Sequence, residues 1–184
     1  MSTRVTVLLT TPRLVTGLLG HPEERLSDAL NRPLESVLRM TNATLGRLGN
    51  VGANLPVSVA VIPKAHIAVV YPEREVHAPA DRRMRAYVPK QATEVFMLTA
   101  GLRIRGHAHA AGQLDPIQLH KLVLEQGDKF IALTQAWLAV DIEGTTEREV
   151  GLVLVNIRHI QFVAPLAPGL GPQSEQPQVL VRTP

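Results

Sequence analysis

The sequence predicts an all-β protein with short inserted helices, arranged as two five-stranded small barrels in tandem. Three observations lead there. Residues 4–72 recur, block by block, as residues 94–165. Each copy is a succession of short runs rich in Val, Ile, Leu and Thr, separated by turn residues, which reads as short strands. The last two runs of each copy flank a tight corner, as a strongly bent barrel requires.

The duplication rests on three blocks. Leu9-Thr10 through Leu14-Val15-Thr16-Gly17 aligns with Leu98-Thr99 through Arg103-Ile104-Arg105-Gly106, a shift of about 89 positions. The run from Val37 to Leu45 aligns with Phe130 to Leu138, and His66 to Pro72 with His159 to Pro165, both shifted by about 93. A period of about 90 residues is too long for a solenoid and suits one small domain. The boundaries are a first barrel at 1–72, a linker at 73–93, a second barrel at 94–165 and a Pro/Gly-rich flexible tail at 166–184.

In chain order, residues 4–9 and 13–19 are strands around a Thr11-Pro12 turn. Residues 23–31 carry early acids, with Leu26 and Leu30 four apart, and end at Asn31-Arg32-Pro33, which predicts a short helix. Residues 36–45 are a third strand, and 46–55 a loop rich in Gly and Asn. Residues 57–62 and 67–70 close the first copy around Pro63-Lys64-Ala65-His66. The linker holds Arg74, Arg82, Arg83, Arg85, Tyr87 and Lys90 among prolines. In the second copy, 95–99 and 102–108 are strands joined at Ala100-Gly101. Residues 115–124 form a helix with Asp115 as cap and Pro116 in the first turn. Strands follow within 129–140 and at 150–155 and 159–163. In the tail, Val179-Leu180-Val181 offers a further edge strand.

The bulk numbers narrow the function classes. The chain has 184 residues, 45% of them apolar and only 3% aromatic, so its cores are aliphatic. It has no cysteine, which removes disulfides, thiolate zinc sites and cysteine nucleophiles. The net charge is +3, permissive of nucleic acid without demanding it. No apolar run reaches transmembrane length. Residues 1–20 superficially suggest a signal peptide, but Pro12-Arg13 interrupts them and the same pattern recurs in mid-chain. A strand there, and a cytoplasmic protein, is the expectation.

Leu98-Thr99-Ala100-Gly101-Leu102-Arg103-Ile104-Arg105-Gly106 is similar in spacing to the first Sm motif. Asp128-Lys129-Phe130-Ile131-Ala132-Leu133 resembles the second half of that motif. Ile160-Gln161-Phe162-Val163-Ala164-Pro165 resembles the closing strand of the second Sm motif, as in the bacterial Sm-like RNA chaperones. The resemblance spans nearly all of each copy and implies the Sm-like small barrel. Arg25-Leu26-Ser27-Asp28-Ala29-Leu30-Asn31 also resembles the signature of an uncharacterised bacterial family of single Sm-like units. The chain departs from the Sm pattern in its helical insertion between Gly106 and Asp128 and in lacking the N-terminal helix. It also lacks the Arg-Gly pair of the archaeal and eukaryotic corner.

The resemblance makes the corners before the last strands candidate RNA contacts: Lys64 and His66 in one copy, Arg158 and His159 in the other. A basic, ring-bearing corner can stack on and hydrogen-bond an unstacked base; a histidine that satisfies backbone at a tight turn is the alternative. Arg103 and Arg105 share a strand face and could contact phosphate, or serve to keep an edge soluble. His107 and His109 have a zinc-compatible spacing with no evident third ligand, so no metal is expected. Trp137 reads as a packing residue or a contact between barrels. No nucleophile with a base, ordered carboxylate pair or phosphate-binding glycine loop is present, so neither catalysis nor a cofactor is expected.

The leading expectation is a non-enzymatic scaffold or assembly-forming protein, associating with itself or another protein through the edges of its last two strands. Val153, Val155, Ile160 and Val163 mark those edges. RNA binding at the two corners is the alternative, and a small ligand in the cleft between the copies a third. A membrane partner is not expected.

Overall fold

The computed structural model describes residues 2–20, 25–48, 50–73, 90–110, 119, 129–140 and 147–166. The first repeat supplies strands β1 (Thr3–Leu9), β2 (Arg13–Leu19), β3 (Val37–Arg47), β4 (Asn50–Pro63) and β5 (Ile67–Pro72). The second supplies β6 (Gln91–Thr99), β7 (Leu102–Ala110), β8 (Phe130–Val140), β9 (Arg148–Asn156) and β10 (Ile160–Pro165). A short helix, α1 (Leu26–Asn31), precedes β3, and a single 3-10 turn forms each corner, at Lys64–His66 and Ile157–His159. Residues 74–89 of the predicted linker, the helix at 115–124 except for buried Leu119, and the tail beyond 166 lie outside the described residues.

The all-β expectation holds. The strands, however, form one ten-stranded antiparallel sheet in the order β10-β6-β7-β8-β9-β5-β1-β2-β3-β4, not two separately paired sets. Within it the repeats remain visible. The run β5-β1-β2-β3-β4 has the same order as β10-β6-β7-β8-β9. The two runs meet where β5 pairs with β9, Val69 opposite Val155 and Val70 opposite Leu154.

Strand pairing refines the internal alignment. Ile67 and Ile160 open equivalent strands, and Val37 and Phe130 do likewise, a shift of 93 in both cases. In the first block the alignment moves by one residue. Val7 lies opposite Val70, and Met97 lies opposite Val163, so Val7 and Met97 are equivalent. Leu9 therefore matches Thr99, not Leu98. The cause is the turn: Thr10, Thr11 and Pro12 join the first pair of strands, Ala100 and Gly101 the second. Both Ala100 and Gly101 have positive φ, as tight two-residue hairpins favour.

One bend is duplicated in atomic detail. Asn42 and Gln135, equivalent positions in β3 and β8, sit at φ 47° and 48°. Each makes a bulge where the register with the neighbouring strand slips, between Thr16 and Leu18 and between Arg105 and His107. Glycine faces each bulge. A Cβ on Gly17 would lie 3.0 Å from the Ala43 Cβ, and one on Gly106 would lie 3.1 Å from the Leu133 Cβ. The glycines are there because the backbones approach too closely for a side chain.

The predicted loop at 46–55 is instead the turn of a long hairpin. β3 continues to Arg47, and β4 starts at Asn50, directly opposite it. Gly and Asn read as loop because they disfavour strands singly, but pairing with β3 overrides that preference. The linker is likewise shorter than predicted, since β6 begins at Gln91.

Two aliphatic cores lie on opposite faces of the central strands. Val5, Val7, Met40, Ile67 and Val70 belong to one, and Met97, Ile104, Leu133, Val153 and Val155 to the other. Neither core is confined to its own repeat. Leu8, Ala68, Val69 and Tyr71 pack into the second repeat's core, while Phe130 and Leu154 pack into the first's. β5 is consequently buried along its whole length, as a strand covered on both faces must be.

Candidate functional site at the strand edges and corners

The joint between β5 and β9 brings the two repeats together through both apolar and polar contacts. Of the residues paired directly across it, Val69 and Leu154 each pack into the other repeat's core, and both are 0% exposed. Asn156, at the end of β9, is buried. Its amide Nδ2 donates to the carbonyls of Lys64 (3.1 Å) and Ile67 (2.9 Å), and its Oδ1 accepts from the Arg158 N–H. Asn31, the last residue of α1, grips the start of β8. Its Oδ1 accepts from the Lys129 and Phe130 N–H groups at 3.0 and 2.8 Å, and its Nδ2 donates to the Phe130 carbonyl at 2.9 Å. Backbone ends that would otherwise be orphaned are thus satisfied across the joint.

The two corners predicted as separate RNA contacts meet at this same joint. The His159 ring donates from Nε2 to the Ala65 carbonyl at 2.7 Å, which fixes its Nε2–H tautomer when neutral. The His159 carbonyl in turn accepts from the Thr99 hydroxyl. Lys64 is buried, and its ammonium donates to the Ala29 carbonyl at 3.0 Å, closing α1 onto the corner. Burial holds the Lys64 pKa below its ordinary value, with Glu35 partly opposing the shift. Lys64 therefore faces inward and does not offer its charge to a phosphate. His66 and Arg158 are exposed, on adjoining corners.

The remaining candidates lie elsewhere. Arg103 and Arg105 are on β7, both half-buried. Arg105 pairs with Glu94 at 3.4 Å and stacks its guanidinium over the Trp137 ring, 5.9 Å from the centroid. His109 bonds the Thr134 hydroxyl at 2.7 Å, and burial, with His107 and Lys90 nearby, lowers its pKa. Among the described residues no group of three or more His, Cys, Asp or Glu could hold a metal ion. A groove of about 410 Å³ is lined by residues of the first repeat, including Leu19, Ala29, Leu34 and Leu38. It does not lie between the repeats, where the small-ligand reading put a cleft. No helix among the described residues is long and apolar enough to cross a membrane.

The predicted assembly edge divides in two. Val153 and Val155 are on β9, whose edge β5 of the same chain already occupies, and both are fully buried. Ile160 and Val163 are on β10, an outer strand of the sheet, half-buried against the second core. The other outer strand is β4, which the sequence reading did not single out. Val59 and Val61 on β4 and Phe162 on β10 are among the most exposed large apolar side chains described. The repeat held the signal. Val61 is equivalent to Leu154, and Phe162 to Val69, so comparing the copies position by position pairs these two exposed residues with buried ones.

No family model, no curated protein and no solved structure matches this chain.

Proposed function

We propose that the chain is a non-enzymatic scaffold of the cytoplasm, built from two Sm-like small-barrel units that associate through strand edges. Support for the unit comes from the repeated five-strand order and the 3-10 corner before each last strand. One observation carries the association. The edges that join β5 to β9 inside the chain recur as β10 and β4 at the ends of the sheet, where they carry exposed apolar side chains. An exposed apolar edge of this kind marks an interaction surface. The native mass, measured by light scattering over a concentration series, tests the reading. It should rise above the 20.0 kDa of one chain, alone or with a protein partner. A constant single-chain mass, with no protein retained by the edges, defeats it.

RNA binding is the second reading, favoured by the meeting of the two corners with His66 and Arg158 exposed on them. Binding of U-rich and A-rich oligomers across a salt series tests it. Sequence-dependent binding that Arg158→Ala abolishes supports an RNA site. Binding that is indifferent to sequence and lost at moderate salt signifies only a basic surface.

A further inference from the structure

The internal joint is a template for a second one. It is heterologous: the β5 edge of one repeat meets the β9 edge of the next, and these are different surfaces. A duplicated chain joined this way once leaves one copy of each surface unused. β10 is the counterpart of β5, and β4 is the counterpart of β9. We infer that β10 of one chain pairs antiparallel with β4 of a second copy, in the register of the inner joint. Transferring Val69–Val155 and Val70–Leu154 by the repeat shift places Phe162 opposite Ile62 and Val163 opposite Val61. This rests on the edge-association reading above and adds the partner, the polarity and the register.

Exposure agrees with that register residue by residue. At the inner joint, one member of each opposed pair belongs to its own repeat's core and the other crosses over. Val155 and Val70 stay at home; Val69 and Leu154 cross. At the outer edges the two home residues are already covered, Ile62 at 6% exposure and Val163 half-buried. The two residues that would cross are the open ones. Phe162 is 49% exposed where Val69 is 0%, and Val61 is 58% exposed where Leu154 is 0%. The Phe162 ring rests edge-on against Phe96, 6.3 Å between centroids. The groove beside α1 reaches Ser36 and Val37, the counterparts of Lys129 and Phe130 that Asn31 grips at the inner joint.

The outer joint is not a full copy of the inner one. His66 occupies the place of His159, so it would reach the Arg158 carbonyl of the second copy, the counterpart of Ala65. Asn156, by contrast, is replaced by Pro63, which has no side-chain donor for the two carbonyls that Asn156 satisfies. Pro56 also limits ladder pairing to the part of β4 that follows it. The outer joint is therefore the weaker and the reversible one. Head-to-tail pairing through it adds whole chains, into a ring if the rotation closes and a filament if it does not.

The chain has no cysteine, so single thiols report contacts without background. Val61→Cys and Val163→Cys are made separately, one carrying a mass tag, and oxidised alone and mixed. The mixture should give disulfide-linked dimers holding one chain of each kind, and neither variant should dimerise alone. Leu55→Cys, at 59% exposure as open as Val61, should not link to Val163→Cys. Phe162→Lys should raise the concentration at which the native mass falls to one chain by about tenfold or more. Self-linked Val61→Cys means β4 pairs with β4, and self-linked Val163→Cys means β10 pairs with β10. Either result overturns the head-to-tail register, as does equal linking by Leu55→Cys, while edge association survives. A single-chain mass at every concentration, with no disulfide formed, overturns both.

Discussion

β9 and β4 are the same strand twice, and they differ in what covers them. Each pairs in the same register with the strand before it: Leu38 opposite Ile62, and Ile131 opposite Val155. The outer edge of β9 is covered by β5, while β4 ends the sheet. The consequence is seen side chain by side chain, in Leu154 against Val61 and in Asn156 against Pro63. Backbone geometry is duplicated faithfully, but burial is decided by the neighbour. A position buried in one copy and open in the other locates a surface that is closed once and unfilled once.

The largest expected effect breaks this comparison directly. Leu154→Ala removes a side chain buried in the first repeat's core, and should cost about 2–5 kcal/mol in urea unfolding. Val61→Ala, at the equivalent place, should change the stability of the single chain by only about 0.5 kcal/mol or less. Equal costs would mean that the inner joint is not what buries Leu154. The polar side of the joint comes next. Asn31→Ala and Asn156→Ala each leave buried backbone groups without partners, and each should cost about 1–3 kcal/mol. Both would also loosen the contact between repeats, so hydrogen exchange should rise at the start of β8 and at the corners. A loss confined to α1 in Asn31→Ala would show that the asparagine serves only its own helix.

A change in the shared bend should treat the copies alike. Gly17→Ala and Gly106→Ala each push a Cβ into the facing bulge, at 3.0 and 3.1 Å. Each should destabilise by about 1–3 kcal/mol through overpacking. A large difference between them would mean that the bulges, alike in φ, differ in how far they can yield.

How much of this was legible beforehand depends on the kind of information. Strand positions were readable from β-branched runs and turn residues, and the duplication from Gly17 and Gly106 with their flanks, because those are local or repeat-borne signals. The hairpin at 47–50 was not, since Gly and Asn become strand there only by pairing with β3. The fusion of the repeats into one sheet was hidden because edge pairing between β5 and β9 is non-local. Of the site residues, Ile160 and Val163 do sit on an open edge, whereas Val153 and Val155 sit on a closed one. Which edge is spent cannot be read from one strand's composition. Lys64 looked like a surface base because lysine usually is one; α1, whose Ala29 carbonyl it binds, turns it inward.

Lys64 sharpens the comparison in its smallest term. The equivalent residue in the second corner is Ile157, so one corner holds a buried ammonium where the other holds a hydrocarbon. Burial lowers the Lys64 pKa in the folded chain below 10.5, the ordinary value of a solvated lysine and that of the unfolded chain. Below the lowered value both states carry the charge, and the folded state bears the whole desolvation cost. Between the two values the unfolded chain holds more protons, so raising the pH favours the fold. Above the unfolded value both are neutral and the cost is gone. The contribution of Lys64 to stability should therefore increase as the pH rises toward 10.5. Other groups titrate in the same range, so the quantity to follow is the difference in unfolding midpoint between the natural chain and Lys64→Ile. The variant gives up the hydrogen bond to Ala29 but never bears the charge. The difference should shift in favour of the natural chain from about pH 8 to about pH 10. A difference that stays level across that range would mean that Lys64 keeps its water, and that the first corner is as open as its sequence suggests.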